Sequence, residues 1–312
     1  MPSTRQIVMD ATSTASLSGG GLLRPDQAEK FIQQTFDATV LGQQVRHVMK
    51  RAKTGEIDKI GIAKRIIRKK TEGVDDGYRA GIETSKIEYA TTAIRLPWEI
   101  TEETFRENIE GQHFEEIQTN LMTTQFGLDL LDLYLNGDES TDASDPDYDF
   151  LKINDGWLKQ LNSGSHIEDR TSKDSGAMSI DVYYDALAQM PNKYNNGTLR
   201  WIMSPHRQQE WTRHLLKKII EAGGAVPQGV YDSPAAIPTI SCPSFSDNEI
   251  LLIDPKNLVV VNTYNMVFRK TNEGKEAVMQ DKRFYTMHMD FDTIIEELDA
   301  AVLIKGLAQW NA

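Results

Sequence analysis

The sequence predicts an α+β fold, in which helices and strands follow one another in an interrupted order rather than in regular alternation. Two observations support this prediction. Apolar residues recur at helical spacing over residues 25–49 and 101–135, and short β-branched runs near residues 57–70 and 84–96 and in the C-terminal third are typical of strands. No internal repeat is present. The 312 residues are enough for one large domain or for two to three small ones.

The composition excludes several classes of protein. The single cysteine, Cys242, cannot form an internal disulfide or build a zinc site alone, and a buried structural thiol is expected. The sequence contains no run of about 18 apolar residues, as a transmembrane helix requires. Residues 1–21 lack the apolar centre of a secretory signal. The net charge of −12, from 34 basic and 46 acidic residues, disfavours broad nucleic-acid binding, which needs clustered basic side chains.

The net charge averages over two neighbouring segments of opposite sign. Residues 51–70 carry eight basic and two acidic side chains, whereas residues 99–116 carry seven acids and one arginine. Two interpretations are open. Both segments can be solvated faces, or one segment can meet the other across a subunit interface, where charge complementarity fixes the register.

The first half of the chain predicts an arm, a helix and a hairpin. Residues 1–23 are rich in Ser, Thr, Gly and Ala, which favours a flexible arm. Residues 25–49 predict one amphipathic helix, or two short ones broken near residue 41. Residues 57–70 and 84–96 predict a long two-stranded hairpin with an open tip. Because a hairpin this charged has little apolar surface of its own, we expect it to lie on another surface.

A long helix is expected from residue 101 to residue 135. Thr101 is a suitable N-cap, acids occupy the first turn, and Asn136-Gly137 ends the helix. Residues 138–180 are typical mostly of loop. The rest of the chain predicts helices at 179–190 and 204–220 and short strands at 199–203, 236–240, 250–253, 258–261, 266–269, 284–289 and 300–304.

Local motifs give little support for catalysis or for a metal site. The acids of residues 145–149 alternate as in a calcium loop, but Phe150 stands where that loop requires its tight-turn glycine. His113 lacks the second histidine of a zinc-protease helix, and no nucleophile-elbow motif occurs. We therefore expect no catalytic residue, no cofactor and no metal. A soluble hydrolase, as an alternative, rests only on His113, His206 and His214.

The order of these elements is more informative than any motif. From Pro25 to Gly306, it resembles that of the major capsid proteins of tailed bacteriophages, which have the Hong Kong 97-type fold. The local segments that carry the resemblance are Ala28–Phe31, Thr39–Gly42, Leu96–Thr101, Leu133–Gly137, Asn154–Trp157, Leu199–Pro205, Ile237–Ile240 and Ala300–Gly306.

The resemblance implies a division of the chain and a function. It implies an N-terminal arm at 1–50, an extended loop (the E-loop hairpin) at 51–97, a peripheral domain with a long spine helix at 98–149, an axial domain at 150–265, and further peripheral strands at 266–312. Such proteins are not enzymes. They self-assemble as hexamers and pentamers into the icosahedral head shell that encloses double-stranded DNA. An encapsulin-like nanocompartment shell is the nearest alternative.

The resemblance also implies partners. Many relatives carry a scaffold-like extension before the arm, whereas about 24 residues precede Pro25 here. A separate scaffolding protein is therefore expected if the chain is complete, together with a portal and possible decoration proteins. DNA would be enclosed without specific binding, and no membrane is involved. The expected location is the virion, after assembly in the host bacterial cytoplasm.

In such shells the extended loop lies over the peripheral domain of a neighbouring subunit. We therefore expect the basic segment of one copy to approach the acidic segment of the next. The candidate contact residues are Arg65, Arg68, Lys69 and Lys70 on the loop, and Glu102, Glu103, Glu107 and Glu110 near the spine. Some relatives join a loop lysine to a neighbour's asparagine, and Lys69, Lys70 and Asn272 occupy broadly comparable segments.

Overall fold

The fold is a mixture of helices and sheets whose parts come from distant stretches of the chain. The computed structural model describes residues 40–61, 66–67, 69, 77–107, 114–164, 166–173, 176–224 and 233–308. The helices of this part are α1 (Val40–Gln44), α2 (Glu102–Glu107), α3 (Phe114–Asn136), α4 (Tyr148–Leu151), α5 (Trp157–Asn162), α6 (Ile180–Gln189), α7 (Pro205–Glu221) and α8 (Lys275–Gln280). Short 3-10 turns lie at Pro234–Ala236, Pro255–Asn257 and Leu298–Ala300.

The strands form three sheets. Their bounds are β1 (Arg46–Met49), β2 (Thr54–Gly61), β3 (Glu83–Ala90), β4 (Thr92–Thr101), β5 (Ile167–Asp169), β6 (Arg200–Met203), β7 (Thr239–Ser241), β8 (Ile250–Ile253), β9 (Leu258–Thr271), β10 (Lys282–Ile295) and β11 (Ala301–Lys305). A four-stranded sheet has the order β1-β9-β10-β4, and a five-stranded sheet has the order β5-β11-β8-β6-β7. Strands β2 and β3 pair only with each other and form the hairpin.

Two apolar clusters hold these sheets together. The larger cluster joins the C-terminal half of α3 and helix α5 to one face of each large sheet. Trp157 is fully buried there, and its indole nitrogen donates to the Ile294 carbonyl at 3.2 Å. The second cluster packs α6 and α7 on the other face of the five-stranded sheet, where the ring of Tyr183 lies 4.7 Å from that of Trp211. Both clusters include residues of β8 and β11, so the five-stranded sheet is buried on both faces.

The expected helix over residues 25–49 is wrong at its C-terminal end. Helix α1 ends at Gln44, and Arg46–Met49 form strand β1, which pairs in parallel with Val259–Asn262 of β9. This pairing lies more than 200 residues away in sequence, so tertiary contacts override a helical spacing that was already loose. Residues 25–39 lie outside the described part of the chain.

Other elements agree with the sequence in kind but differ in length. Helices α6 and α7, strands β6 and β8 and the end of the long helix at Asn136 are confirmed. The expected hairpin is confirmed only where residues 54–61 pair with residues 83–90. Residues 66, 67 and 69 are not in a strand, and residues 92–96 belong to β4, which pairs with β10 instead. Residues 138–180, expected to be mostly loop, include α4, α5 and β5. The strands expected at 258–261 and 266–269 are one strand, β9, and β10 extends to Ile295. The expected boundary between axial and peripheral parts, at 265/266, therefore falls inside a continuous strand.

A tight crossing after α3 fixes the connection to α5. The Gly137 amide donates to the Leu133 carbonyl at 3.0 Å, and its carbonyl accepts from the Gly156 amide at 2.8 Å. A Cβ atom at Gly137 would clash with the Asn154 carbonyl oxygen and would lie 2.7 Å from that of Leu133. Only glycine fits this close approach of two backbones.

We predict that Gly137→Ala destabilises the subunit by about 2 kcal/mol, because backbone atoms rather than a mobile side chain must move to admit the methyl group. Thermal unfolding of the unassembled protein measures this effect. The matched control is Gly81→Ala, where a Cβ would meet nothing within 4 Å. Equal unfolding midpoints for the two variants would show that the crossing is not constrained in this way.

Candidate intersubunit surfaces

Within the described ranges, no three His, Cys, Asp or Glu side chains are placed to hold a metal ion, and none of the helices there is both long and apolar enough to cross a membrane. Ser204, His206 and Asp247 do lie together. However, Asp247 stands between the other two: it accepts from the Ser204 hydroxyl and lies 3.0 Å from His206 Nδ1. The Ser204 oxygen also caps α7 by accepting from the Arg207 amide, and Asp247 lies between the serine and the histidine.

The hairpin is anchored at its base. Strands β2 and β3 pair in antiparallel register from Thr54 opposite Ala90 to Gly61 opposite Glu83. Near the base, apolar side chains of both strands pack on the inner halves of β9 and β10. The residues of this contact are Val48, Ile57, Ile87, Tyr89, Val259, Val261 and Ile294. A Cβ at Gly55 would lie 2.7 Å from the Tyr89 hydroxyl, so the small residue lets the tyrosine ring lie flat across β2.

The far end of the hairpin exposes apolar side chains instead. The exposed fraction is 70% for Ile60, 68% for Ile82 and 92% for Ile67. Exposed isoleucines gathered at one end of a projecting element mark a surface for interaction. The sequence did not predict this apolar end.

A hydrogen-bonded root fixes the direction in which the hairpin leaves the sheet. The Thr91 amide donates to the Lys53 carbonyl at 2.8 Å, and the Ala90 amide donates to Asp292 Oδ2 at 2.8 Å. The Thr91 hydroxyl lies 2.8 Å from that of Thr263 on β9. These bonds join β3 to β9 and β10 at the residue where the chain passes from hairpin to sheet.

The carboxylate of Asp292 is buried at this root. It accepts from Ala90 and also from its neighbour, the Thr293 amide, at 2.7 Å. Burial raises the pKa of Asp292 above its ordinary 3.8, although the two amide bonds act in the opposite direction. A second acid on the strand, Asp290, forms an ion pair of 3.1 Å with Lys53. The two acids flank Phe291 within β10 and were visible in the sequence, so they could have marked this root.

Three of the seven acids of the segment near α3 form ion pairs within their own chain. Arg283 of β10 donates to both carboxylate oxygens of Glu102, and its Nη1 lies 3.2 Å from Glu115. Lys270 also pairs with Glu115. Lys282 pairs with Glu99 at 2.6 Å. Because these pairs are partly exposed, each contributes about 0–1 kcal/mol, but together they neutralise acids that the sequence offered for contacts with a neighbour.

The structure locates some of the expected contact residues. Lys69 and Glu103 are exposed, and Glu102 is bound by Arg283. Glu107 is the last residue of α2, and four further candidates lie outside the described residues, namely Arg65, Arg68, Lys70 and Glu110. On the basic segment, Lys59 pairs with Glu297 of its own chain. Because the expected contacts join two copies of the chain, they stay a prediction.

The same holds for the expected covalent link between copies. Lys69 and Asn272 are both exposed, and Lys70 lies outside the described residues. A link of this kind between a lysine and an asparagine would join different subunits, so it also stays a prediction.

A long helix packed on a mixed sheet, a hairpin projecting from that sheet, and a second five-stranded domain together define the Hong Kong 97-type capsid fold. This confirms the fold expected from the sequence. Comparisons with solved structures agree along nearly the whole chain. A chain of the satellite phage P4 procapsid with its size determination (Sid) protein superposes with a TM-score of 0.68 at 16% identity, covering 99% of this chain and 98% of that one.

Two further comparisons identify particular relatives. The Bacillus subtilis (strain 168) protein YqbE, whose name describes a prophage capsid protein, is 24% identical over 317 positions, covering 96% of this chain and 97% of YqbE. The SrpI encapsulin of Synechococcus elongatus PCC 7942 superposes with a TM-score of 0.55 at 10% identity, covering 100% of this chain and 99% of that one. No family model matches the sequence.

The raised pKa of Asp292 predicts the sign of a pH effect. The folded state holds this proton more tightly than the unfolded chain does. The stabilisation from Asp292 is therefore present at acid pH and is lost as pH rises from 3.8 through the raised value. Asp292→Asn removes this dependence. We expect the thermal unfolding midpoint of the variant, minus that of wild type, to rise as pH increases from about 4 to about 7.

Asp58→Asn is the matched control, because it removes an exposed carboxylate from the same hairpin without touching the root. If the unfolding midpoint of Asp292→Asn falls relative to that of wild type as pH rises, the pKa of Asp292 is not raised by burial.

Proposed function

We propose that this chain is the major capsid protein of a tailed phage or prophage, and that it self-assembles as hexamers and pentamers into the icosahedral head shell. The observation that carries this proposal is the match over nearly the full length to both a phage procapsid chain and a prophage capsid relative. The role is structural, and assembly of many copies is the function.

The geometry of the hairpin supports assembly. A two-stranded hairpin is marginally stable in water by itself. Among its described residues, the apolar contacts with the rest of the subunit lie near its base. The exposed Ile60, Ile67 and Ile82 leave apolar surface that a single copy does not bury. A second copy of the chain would cover this surface, which makes the hairpin the connecting element of the shell.

Further partners follow from the proposed role. A head shell encloses double-stranded DNA without binding it specifically. The net charge of −12 is compatible with this role, because binding of the DNA phosphates needs clustered basic side chains. We propose assembly in the host bacterial cytoplasm with a separate scaffolding protein, around a portal and with possible decoration proteins, to give the capsid of the virion.

An encapsulin-like compartment is the second candidate. It is favoured by the likeness to the SrpI encapsulin, which spans all of this chain. The contents distinguish the two functions: nuclease-protected double-stranded DNA in particles from lysed host cells supports the head shell, and packaged protein without DNA supports the compartment.

Removal of the hairpin end tests the proposed function. Gly61 lies opposite Glu83, so an Asn-Gly turn can replace residues 62–82 and close the hairpin as a two-residue loop. We predict that wild type forms capsomers or closed shells in negative-stain images, whereas the shortened protein stays monomeric. Its thermal midpoint should match that of wild type, because the anchored base is unchanged.

The unchanged midpoint is the control that separates lost assembly from lost folding. Sedimentation velocity at matched concentrations measures the species formed. A wild-type protein that remains monomeric at tens of micromolar would contradict the shell function. Closed shells from the shortened protein would contradict the role of the hairpin in assembly but not the shell function.

A further inference from the structure

The dipeptide Asn-Gly occurs twice in the chain, at Asn136-Gly137 and at Asn196-Gly197. In such a pair the backbone amide of the glycine can attack the side-chain amide of the asparagine, because glycine has no Cβ to hinder the approach. Helix α3 ends at the first pair, and the second pair lies in the turn between α6 and β6. The two pairs have the same local chemistry, so the structure around each pair decides whether it reacts.

The turn at Asn196 leaves the second pair open to solvent. Asn196, Gly197 and Thr198 are all exposed. Gly197 has a φ of 86°, and a Cβ placed there would meet nothing within 4 Å. In the described part of the chain, no backbone carbonyl accepts from the Gly197 amide. The amide nitrogen is therefore available to react, and the exposed backbone around it has room to move.

Thr198 holds the Asn196 side chain over the same turn. Its backbone amide donates to Asn196 Oδ1 at 3.1 Å, and its hydroxyl donates to the same oxygen at 2.7 Å. Because a backbone amide can only donate, the side-chain atom that faces it must be the oxygen rather than the nitrogen. The Asn196 Cγ atom is one bond from that oxygen, so it is held beside the Gly197 amide, which lies between the two residues in the chain.

The two donors of Thr198 are also placed to assist the reaction. Attack on Cγ turns Oδ1 of Asn196 into a negatively charged oxygen, and donors already aimed at that atom stabilise the charge as it develops. Arg200 adds a positive charge nearby, since its Nη1 lies 3.4 Å from the Gly197 carbonyl oxygen. A nearby cation favours loss of the proton from the attacking amide nitrogen. The turn thus supplies the nucleophile, the electrophile and the stabilising donors together.

The pair at Asn136 is locked instead. Its Nδ2, the group that would leave, donates to Asp132 Oδ1 at 2.6 Å and to the Ser244 carbonyl at 2.8 Å. The Gly137 amide, which would be the nucleophile, is buried and donates to the Leu133 carbonyl at 3.0 Å. Three hydrogen bonds must therefore break before this pair can react, so it serves as an internal control.

We propose that Asn196 is a site of self-catalysed deamidation, in which Thr198 provides the donors that stabilise the reacting oxygen. The Gly197 nitrogen forms a bond to Asn196 Cγ and releases its proton to solvent, while the Cγ–Nδ2 bond breaks and Nδ2 leaves as ammonia with a proton from water. Water then opens the resulting succinimide ring at either carbonyl, which leaves aspartate or isoaspartate at position 196. One ammonia is released and one water is consumed, and the exposed turn gains one negative charge.

Incubation of the folded, unassembled protein in heavy-oxygen water tests this proposal. Trypsin then releases residues 194–200, and mass spectrometry measures the heavy oxygen that hydrolysis places at position 196. Digestion in ordinary water leaves any deamidation during handling unlabelled. We expect the labelled fraction at Asn196 to exceed that at Asn136 by about tenfold or more, because three hydrogen bonds hold the Asn136 pair. In the urea-unfolded chain the two pairs should react at similar rates.

Substitutions of Thr198 test its role as a donor. Thr198→Val removes the hydroxyl at similar size and should slow labelling at Asn196 by about tenfold, less than in water-excluded sites because this turn is exposed. Thr198→Ser keeps the hydroxyl and should retain the wild-type rate, and thermal unfolding checks that both variants fold.

Two results would contradict this account. Equal labelling of Asn196 and Asn136 in the folded wild type would overturn the site, and a wild-type rate in Thr198→Val would overturn the role of Thr198. Both measurements use the unassembled subunit, so they are independent of the shell function.

Discussion

The antiparallel ladder between β9 and β10 is the constraint on which the rest of the structure depends. Each strand has 14 residues, and the ladder runs from Phe284 opposite Thr271 to Ile295 opposite Leu258. The inner half lies in the apolar cluster that joins the two large sheets, and the outer half carries β4 and the arginine that binds the acids near α3. The length of this ladder therefore fixes the position of β4 and of Arg283 relative to the apolar cluster at its inner end.

The hairpin depends on the same ladder. Its root is held by Asp292 and Thr263, one from each strand of the ladder, and its base packs on the apolar residues between them. The described part of the subunit is thus a body with its own cores and a hairpin whose apolar contacts lie near its base. That division explains why a single chain can fold and yet retain surface for other copies.

Local signals predicted much of the fold. Helix α7 was predictable because Ser204 and Pro205 form a strong start signal, and α3 ends where Asn136-Gly137 indicates. The hairpin was predictable from alternating runs around a glycine-rich turn. Strand β1 was not, because its only reason to be extended is a partner strand more than 200 residues later. The length of β9 was hidden by polar residues such as Asn262, which interrupt its apolar pattern.

The candidate surfaces were less predictable than the fold. The sequence separated a basic from an acidic segment but could not show that Arg283 and Lys282 neutralise the acids, since that pairing depends on strand register. Ion pairs between neighbouring strands can be recognised only once the register of the sheet is known.

The most direct test of the central claim, that this subunit is a shell protein connected through its hairpin, is a cryo-microscopy map of the assembled particle. The account predicts a closed icosahedral shell in which each hairpin contacts a neighbouring copy. A particle in which the hairpins fold back on their own subunits, or make no contact with another copy, would contradict it.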